Sequence, residues 1–151
     1  MGKDLSGGPT VRFAGKVLLT SGVAASLMML SPSIASAAYY GSETNYATTA
    51  VPGDVDQHWE GSEISGASVY FTALGDWFKV YDTKKDGYSA VVEWRDLDSS
   101  RTGACVNKMG ADSRGGCNKN FTEGHEIRFR AALYNNGNLV RAASAWSRGF
   151  A

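Results

Sequence analysis

Two cysteines, two histidines and a few paired acids are the residues of this 151-residue chain whose types could do chemistry. Cys105 and Cys117 could form a disulfide, hold a metal or offer a reactive thiol. As metal ligands they have poor company: no Cys-x-x-Cys spacing occurs, and His58 and His125 lie far off in sequence. A serine or cysteine hydrolase would need a nucleophile supported by histidine and aspartate, yet the chain has no Gly-x-Ser-x-Gly elbow. His125 precedes an apolar alternation, where a turn histidine is ordinary, and His58 has no identifiable nucleophile beside it.

Acidic pairs occur at Asp96 with Asp98 and at Glu60 with Glu63. Glycoside hydrolysis by two carboxylates depends on a separation in space, so these read first as solvated loop acids. The run from Asp82 to Gly87 starts as a calcium loop does, but Lys84 stands at the third ligand position and no bidentate glutamate follows at the twelfth. A plain turn accounts for it better. The residues therefore read as non-enzymatic, with no catalytic set, no metal and no cofactor.

The elements that must position these residues begin after a leader. Lys3, Arg12 and Lys16 form a basic stretch, Val17 to Leu30 is almost wholly apolar, and Ala35-Ser36-Ala37 supplies small residues for a signal peptidase. Residues 1–37 are read as a secretory signal cut after Ala37, because the apolar run falls short of the roughly 20 residues of a membrane span. The expected location is extracellular, where Cys105 and Cys117 should be joined. Closing a loop of about 12 residues would add about 3 kcal/mol in the chain-entropy model.

About 114 residues remain, enough for one domain. Removing Lys3, Arg12, Lys16 and Asp4 from 15 basic and 15 acidic residues leaves 12 and 14, a net charge near −2. That argues against nucleic acid or an anionic membrane as partner, since both call for a basic stripe.

Residues 38–65 are rich in Gly, Ser, Thr and acids, carry Pro52-Gly53 and lack an apolar period, so they read as an extended N-terminal arm. Tyr39, Tyr40, Tyr46 and Trp59 are unusual in a solvating tail. They either pack back on the domain or anchor a partner.

Residues 66–151 carry strand signals. Val69 and Phe71 share one face, as do Phe78 and Val80, and Tyr88, Ala90, Val92 and Trp94 alternate against a mixed face. The polar run ending in Asp86-Gly87 predicts a hairpin between the last two of these strands. From Asp96 to Gly124 little periodicity is seen apart from Phe121, which predicts a long loop strapped by the disulfide. Ile127, Phe129, Ala131 and Leu133 form the strongest strand, and Asn136-Gly137 predicts a type I′ turn into a partner strand from Leu139 to Trp146. Five strands and no amphipathic helix predict an all-β domain, a small antiparallel β-sandwich or partly open barrel with one disulfide.

Several short stretches resemble a known family: Gly75-Asp76-Trp77-Phe78-Lys79-Val80-Tyr81-Asp82-Thr83, Asp86-Gly87-Tyr88, Gly103-Ala104-Cys105-Val106-Asn107, Cys117-Asn118, Asn120-Phe121-Thr122-Glu123-Gly124, and the Phe129-Arg130 strand ending in Trp146. From about Leu74 to the C-terminus the chain is similar to small secreted actinobacterial β-proteins, most of them uncharacterised. Among these it resembles the adaptor subunit of umbrella toxin particles, secreted antibacterial assemblies of Streptomyces. Many members carry a cysteine near Tyr81 that this chain lacks, so a second disulfide is not expected.

The resemblance implies a non-catalytic adaptor. Such a protein joins a lectin subunit carrying a degenerate trypsin-like domain to a repeat-containing toxin polypeptide through an extended N-terminal segment. That gives Tyr39, Tyr40, Tyr46 and Trp59 a possible use in binding. Two other classes stay open. A carbohydrate-binding module could use exposed rings such as Trp59, Trp77, Trp94 or Tyr88, although Trp94 and Trp146 could equally fill the core. A protease inhibitor could present Lys108 or Arg114 from the disulfide loop.

Overall fold

The computed structural model describes residues 38–53 and 58–151; the leader 1–37 lies outside them. The described residues form ten strands and no helix. In chain order these are β1 (Glu43–Tyr46), β2 (Glu60–Ile64), β3 (Ala67–Thr72), β4 (Trp77–Asp82), β5 (Ser89–Asp96), β6 (Thr102–Val106), β7 (Ser113–Asn118), β8 (Glu126–Asn135), β9 (Asn138–Ala142) and β10 (Ser147–Phe150). One sheet runs β1-β6-β5-β8-β10, with β9 also paired to β8, and the other runs β2-β3-β4-β7. All pairings are antiparallel except β1 with β6. The sheets face each other as a sandwich and do not close into a barrel, as the sandwich alternative anticipates.

Period-two alternation explains the core. Val69 and Phe71 of β3, Phe78 and Val80 of β4, Ala90, Val92 and Trp94 of β5, and Ile127, Phe129, Ala131 and Leu133 of β8 all point between the sheets and are buried. Phe121 enters the same core from a loop, its ring 5.1 Å from Trp94 and 6.1 Å from Phe78. Burying each large side chain of this set contributes about 1.5–3 kcal/mol.

Three expectations change. The strands β4 and β5 do not form a hairpin: β4 pairs with β3 and β7, and β5 with β6 and β8, so the Thr83–Gly87 stretch carries the chain across from one sheet to the other. An Asp-Gly turn marks a reversal of the chain without saying which strand will be the neighbour. The stretch from Asp96 to Gly124 is not one loop, because it contains β6 and β7. Their glycines, Gly103, Gly115 and Gly116, erased the apolar period that would have announced them. The partner of β8 stops at Ala142, and a separate strand, β10, then takes the remaining length of the same β8 edge. Asn136 and Gly137, both at positive φ (47° and 82°), form the expected turn between β8 and β9.

Of the expected arm, residues 38–53 and 58–65 are laid against the domain and supply β1 and β2. From β1 the chain runs on to Thr48, whose backbone exchanges hydrogen bonds with Gly116 of β7 at 3.0 and 2.9 Å. One short segment thus touches both sheets along the side where Cys105 of β6 and Cys117 of β7 are joined, with Cα atoms 6.0 Å apart. The disulfide is therefore a staple between sheets as well as the closure of a loop. On the opposite side Ser62 of β2 accepts the Ala131 N–H at 3.1 Å, and Ser147 donates to the Gly61 carbonyl at 2.6 Å.

Candidate functional site

The rings singled out from the sequence fall into two places. Tyr39 packs on Tyr134 of β8, with ring centroids 5.1 Å apart, and Tyr40 packs on Trp146 at 5.6 Å. Beneath them lies a polar cluster on the outer face of the larger sheet. Glu93 of β5 is fully buried and accepts from Arg130 Nε at 2.7 Å and from Tyr134 Oη at 2.6 Å. Arg95 and Arg130 each stand 4.5 Å from the centroid of the Trp146 ring. Burial, and then the bond to Glu93, push the Tyr134 hydroxyl well above the usual tyrosine range. Tyr39 and Tyr40 thus help roof a buried carboxylate, which accounts for two of the aromatic residues in so polar a segment.

Tyr46 sits on β1 and is 54% exposed. Its ring lies 4.4 Å from Lys108 Nζ. The strand that carries it is held firmly at its other end. Glu43 accepts a forked pair of hydrogen bonds from Arg101, at 2.8 and 3.2 Å, and a third from Lys119 Nζ at 2.9 Å. Lys119 also donates to Asn45 and stands 4.5 Å from the Trp94 ring centroid. The Arg101 hydrogen bond, helped by Lys119 against the cost of burial, draws the Glu43 carboxyl from 4.5 down to about 2. Burial lowers the Lys119 ammonium despite its bond to Glu43.

Trp59, just before β2, lies on the outer face of the smaller sheet. Alternation sends Tyr70 of β3 and Lys79 and Tyr81 of β4 to that face, opposite the core residues Val69, Phe71, Phe78 and Val80. Lys79 Nζ is 3.8 Å from the centroid of a Trp59 ring, and the Tyr70 and Tyr81 rings meet edge to face at 5.8 Å. Trp77 is half-buried on the same sheet and Tyr88 is half-buried just before β5, whereas Trp94 is wholly buried. The core role weighed for Trp94 is the one it has.

The acids and histidines serve local structure. Asp96, Asp98 and His125 are the one group of three potential metal ligands brought together among the described residues. Asp96 receives hydrogen bonds from Ser99 Oγ at 2.6 Å and the Asp98 N–H at 3.0 Å, and pairs with His125 Nδ1 at 3.0 Å; Asp98 accepts the Glu126 N–H at 2.7 Å. Burial alone would raise the Asp96 carboxyl, but these bonds outweigh it and hold it below its ordinary value. The cluster closes the β5–β6 turn onto the start of β8. Glu60 pairs with His58 at 2.9 Å, and Glu63 accepts from Tyr70. Asp82 caps its own turn by accepting the Lys84 N–H at 3.2 Å.

No helix among the described residues is long and apolar enough to cross a membrane. No protein-family model, curated protein or solved structure matches the chain.

Proposed function

We propose that the protein is a secreted, non-enzymatic protein–protein interaction module. In this reading it is an adaptor in an extracellular antibacterial toxin complex, linking a lectin subunit to a repeat-containing toxin polypeptide. The observation that carries the interaction role is β1. Among the described residues it is an edge strand with β6 as its one neighbour, its side chains are largely exposed, and it ends in Tyr46 beside Lys108.

An edge strand offers unpaired backbone groups to an incoming strand, and tyrosine is enriched in protein interfaces. The Glu43 anchor fixes the strand beforehand, so less ordering remains to oppose binding. The leader supports export, and the resemblance from Leu74 onward supports the adaptor role. The Asp96, Asp98 and His125 atoms that could do chemistry are engaged in turn hydrogen bonds, which favours binding over catalysis.

Deleting the arm would remove β1 and β2 and with them part of both sheets, so the test is a point variant. The tagged full chain, recovered from culture supernatant, should bring down a large repeat-containing polypeptide and a lectin, and Tyr46→Ala should reduce that recovery about tenfold or more. Recovery of the protein alone, or undiminished recovery with Tyr46→Ala, would count against this reading.

A further inference from the structure

The outer face of the smaller sheet carries an open groove of about 360 Å³, lined by Trp59, Ser68, Tyr70, Lys79, Tyr81 and Thr83. Its volume falls within the range of small-ligand sites. We propose that it binds a short stretch of a neutral oligosaccharide, independently of the adaptor role.

The strands build the groove through what they omit as well as what they carry. In register across the sheet, Gly61 of β2 stands opposite Tyr70. Its backbone is not left-handed, so space is what it provides. A Cβ there would lie 3.1 Å from the Tyr70 ring. The ring can thus lie close over the neighbouring strand.

The lining then selects the ligand. A sugar ring has apolar C–H faces and a rim of hydroxyls. Trp59, Tyr70 and Tyr81 supply flat apolar surfaces, while Ser68, Thr83 and the Tyr81 phenol supply groups that both donate and accept hydrogen bonds. The Tyr70 hydroxyl is committed to Glu63 at 2.7 Å, which fixes its ring. A cationic ligand would find the Trp59 face already holding the Lys79 ammonium. An anionic ligand gains little from Lys79, which is 2% exposed and held against that ring.

The test is titration of the full chain with cellohexaose, the hexamer of N-acetylglucosamine, xylohexaose and an oligogalacturonate, read by calorimetry and tryptophan emission. At least one neutral hexamer should bind with a Kd in the micromolar to low millimolar range, and Trp59→Ala and Tyr81→Ala should each weaken it about tenfold or more. Ser68→Trp fills the groove without touching the core and should abolish binding, which keeps the test sharp if a ring variant folds poorly. Val140→Ser, on β9 of the other sheet, should leave it unchanged. Absence of binding by every neutral hexamer at about 10 mM, retention of affinity in Trp59→Ala, or tighter binding of the oligogalacturonate would overturn the proposal.

Discussion

Tyr134 donates its hydroxyl hydrogen to Glu93 at 2.6 Å, joining the last buried ring of β8 to a carboxylate with no exposure at all. Arg130 completes the pair from the same strand as Tyr134, and Tyr39 lies over the tyrosine ring. A buried carboxylate is tolerated when both its charge and its hydrogen-bonding capacity are met, and here two side chains of β8, Arg130 and Tyr134, meet them.

Removing one member should therefore cost more than an ordinary surface change. Tyr134→Phe is expected to lower stability by about 1.5–3 kcal/mol, the range for a hydrogen bond to a charged group. Glu93→Ala, which leaves Arg130 without its partner, should cost about 3–5 kcal/mol. Urea midpoints at constant slope measure both. Midpoints unchanged in both variants would show that the cluster contributes nothing to stability.

The staple between Cys105 and Cys117 should act on the same scale. Replacing both with alanine, or reducing the bond, is expected to remove about 3 kcal/mol, from a loop-closure effect on the unfolded chain. Both sulfurs lie in the buried core, so the double variant also tests packing. Thermal unfolding with and without reductant, compared with the double variant, separates the contributions. An unfolding temperature insensitive to reductant, with the bond verified as broken, would refute the stabilising role.

What could be read from the sequence followed the apolar period. β8 was plain because Ile127, Phe129, Ala131 and Leu133 alternate without interruption, and Asn136-Gly137 fixed the turn after it. β6 and β7 were hidden because Gly103, Gly115 and Gly116 stand where a period would show, and their strand state is imposed by neighbours. Pairing partners were harder still: nothing local in Thr83–Gly87 tells a turn within one sheet from a passage between two. The burial of Glu93 was illegible for a related reason. Alternation places it on a mixed face, and the roof over that face comes from Tyr39, more than fifty positions earlier. Likewise Tyr70 and Tyr81 could be assigned to an outer face, but their gathering with Trp59 depends on how β2, β3 and β4 associate.

Gly149 offers a test of how tightly the sheets are pressed together. A Cβ there would stand 2.4 Å from the Phe71 ring, and Phe71 is buried among Phe78, Phe121 and Phe129. Its φ is not in the left-handed region, so alanine would otherwise gain about 0.4–1 kcal/mol by restricting the unfolded chain. Overpacking costs about 1–3 kcal/mol, and that is the larger effect. Gly149→Ala should thus be destabilised in urea, and a variant as stable as the parent or more so would mean that Phe71 can move aside.

The Glu43 anchor predicts the acid side of the stability profile. Its carboxyl titrates at about 2 in the folded chain against 4.5 ordinarily, chiefly through the Arg101 hydrogen bond. Between those values the unfolded chain binds more protons at this site, so stability rises with pH. The contribution is complete above the ordinary value and is lost as pH falls through the folded one. Asp96, also lowered, adds to the same slope, whereas Asp76 and Asp82, raised chiefly by burial, oppose it. Glu43→Gln should consequently be less stable than the parent at neutral pH and show a shallower fall in unfolding temperature between about pH 4.5 and 2. Parallel curves for parent and variant across that window would place the acid sensitivity elsewhere. Because Glu43 also positions β1, the same variant should weaken recovery of a partner that docks on that edge, at neutral pH where the chain remains folded.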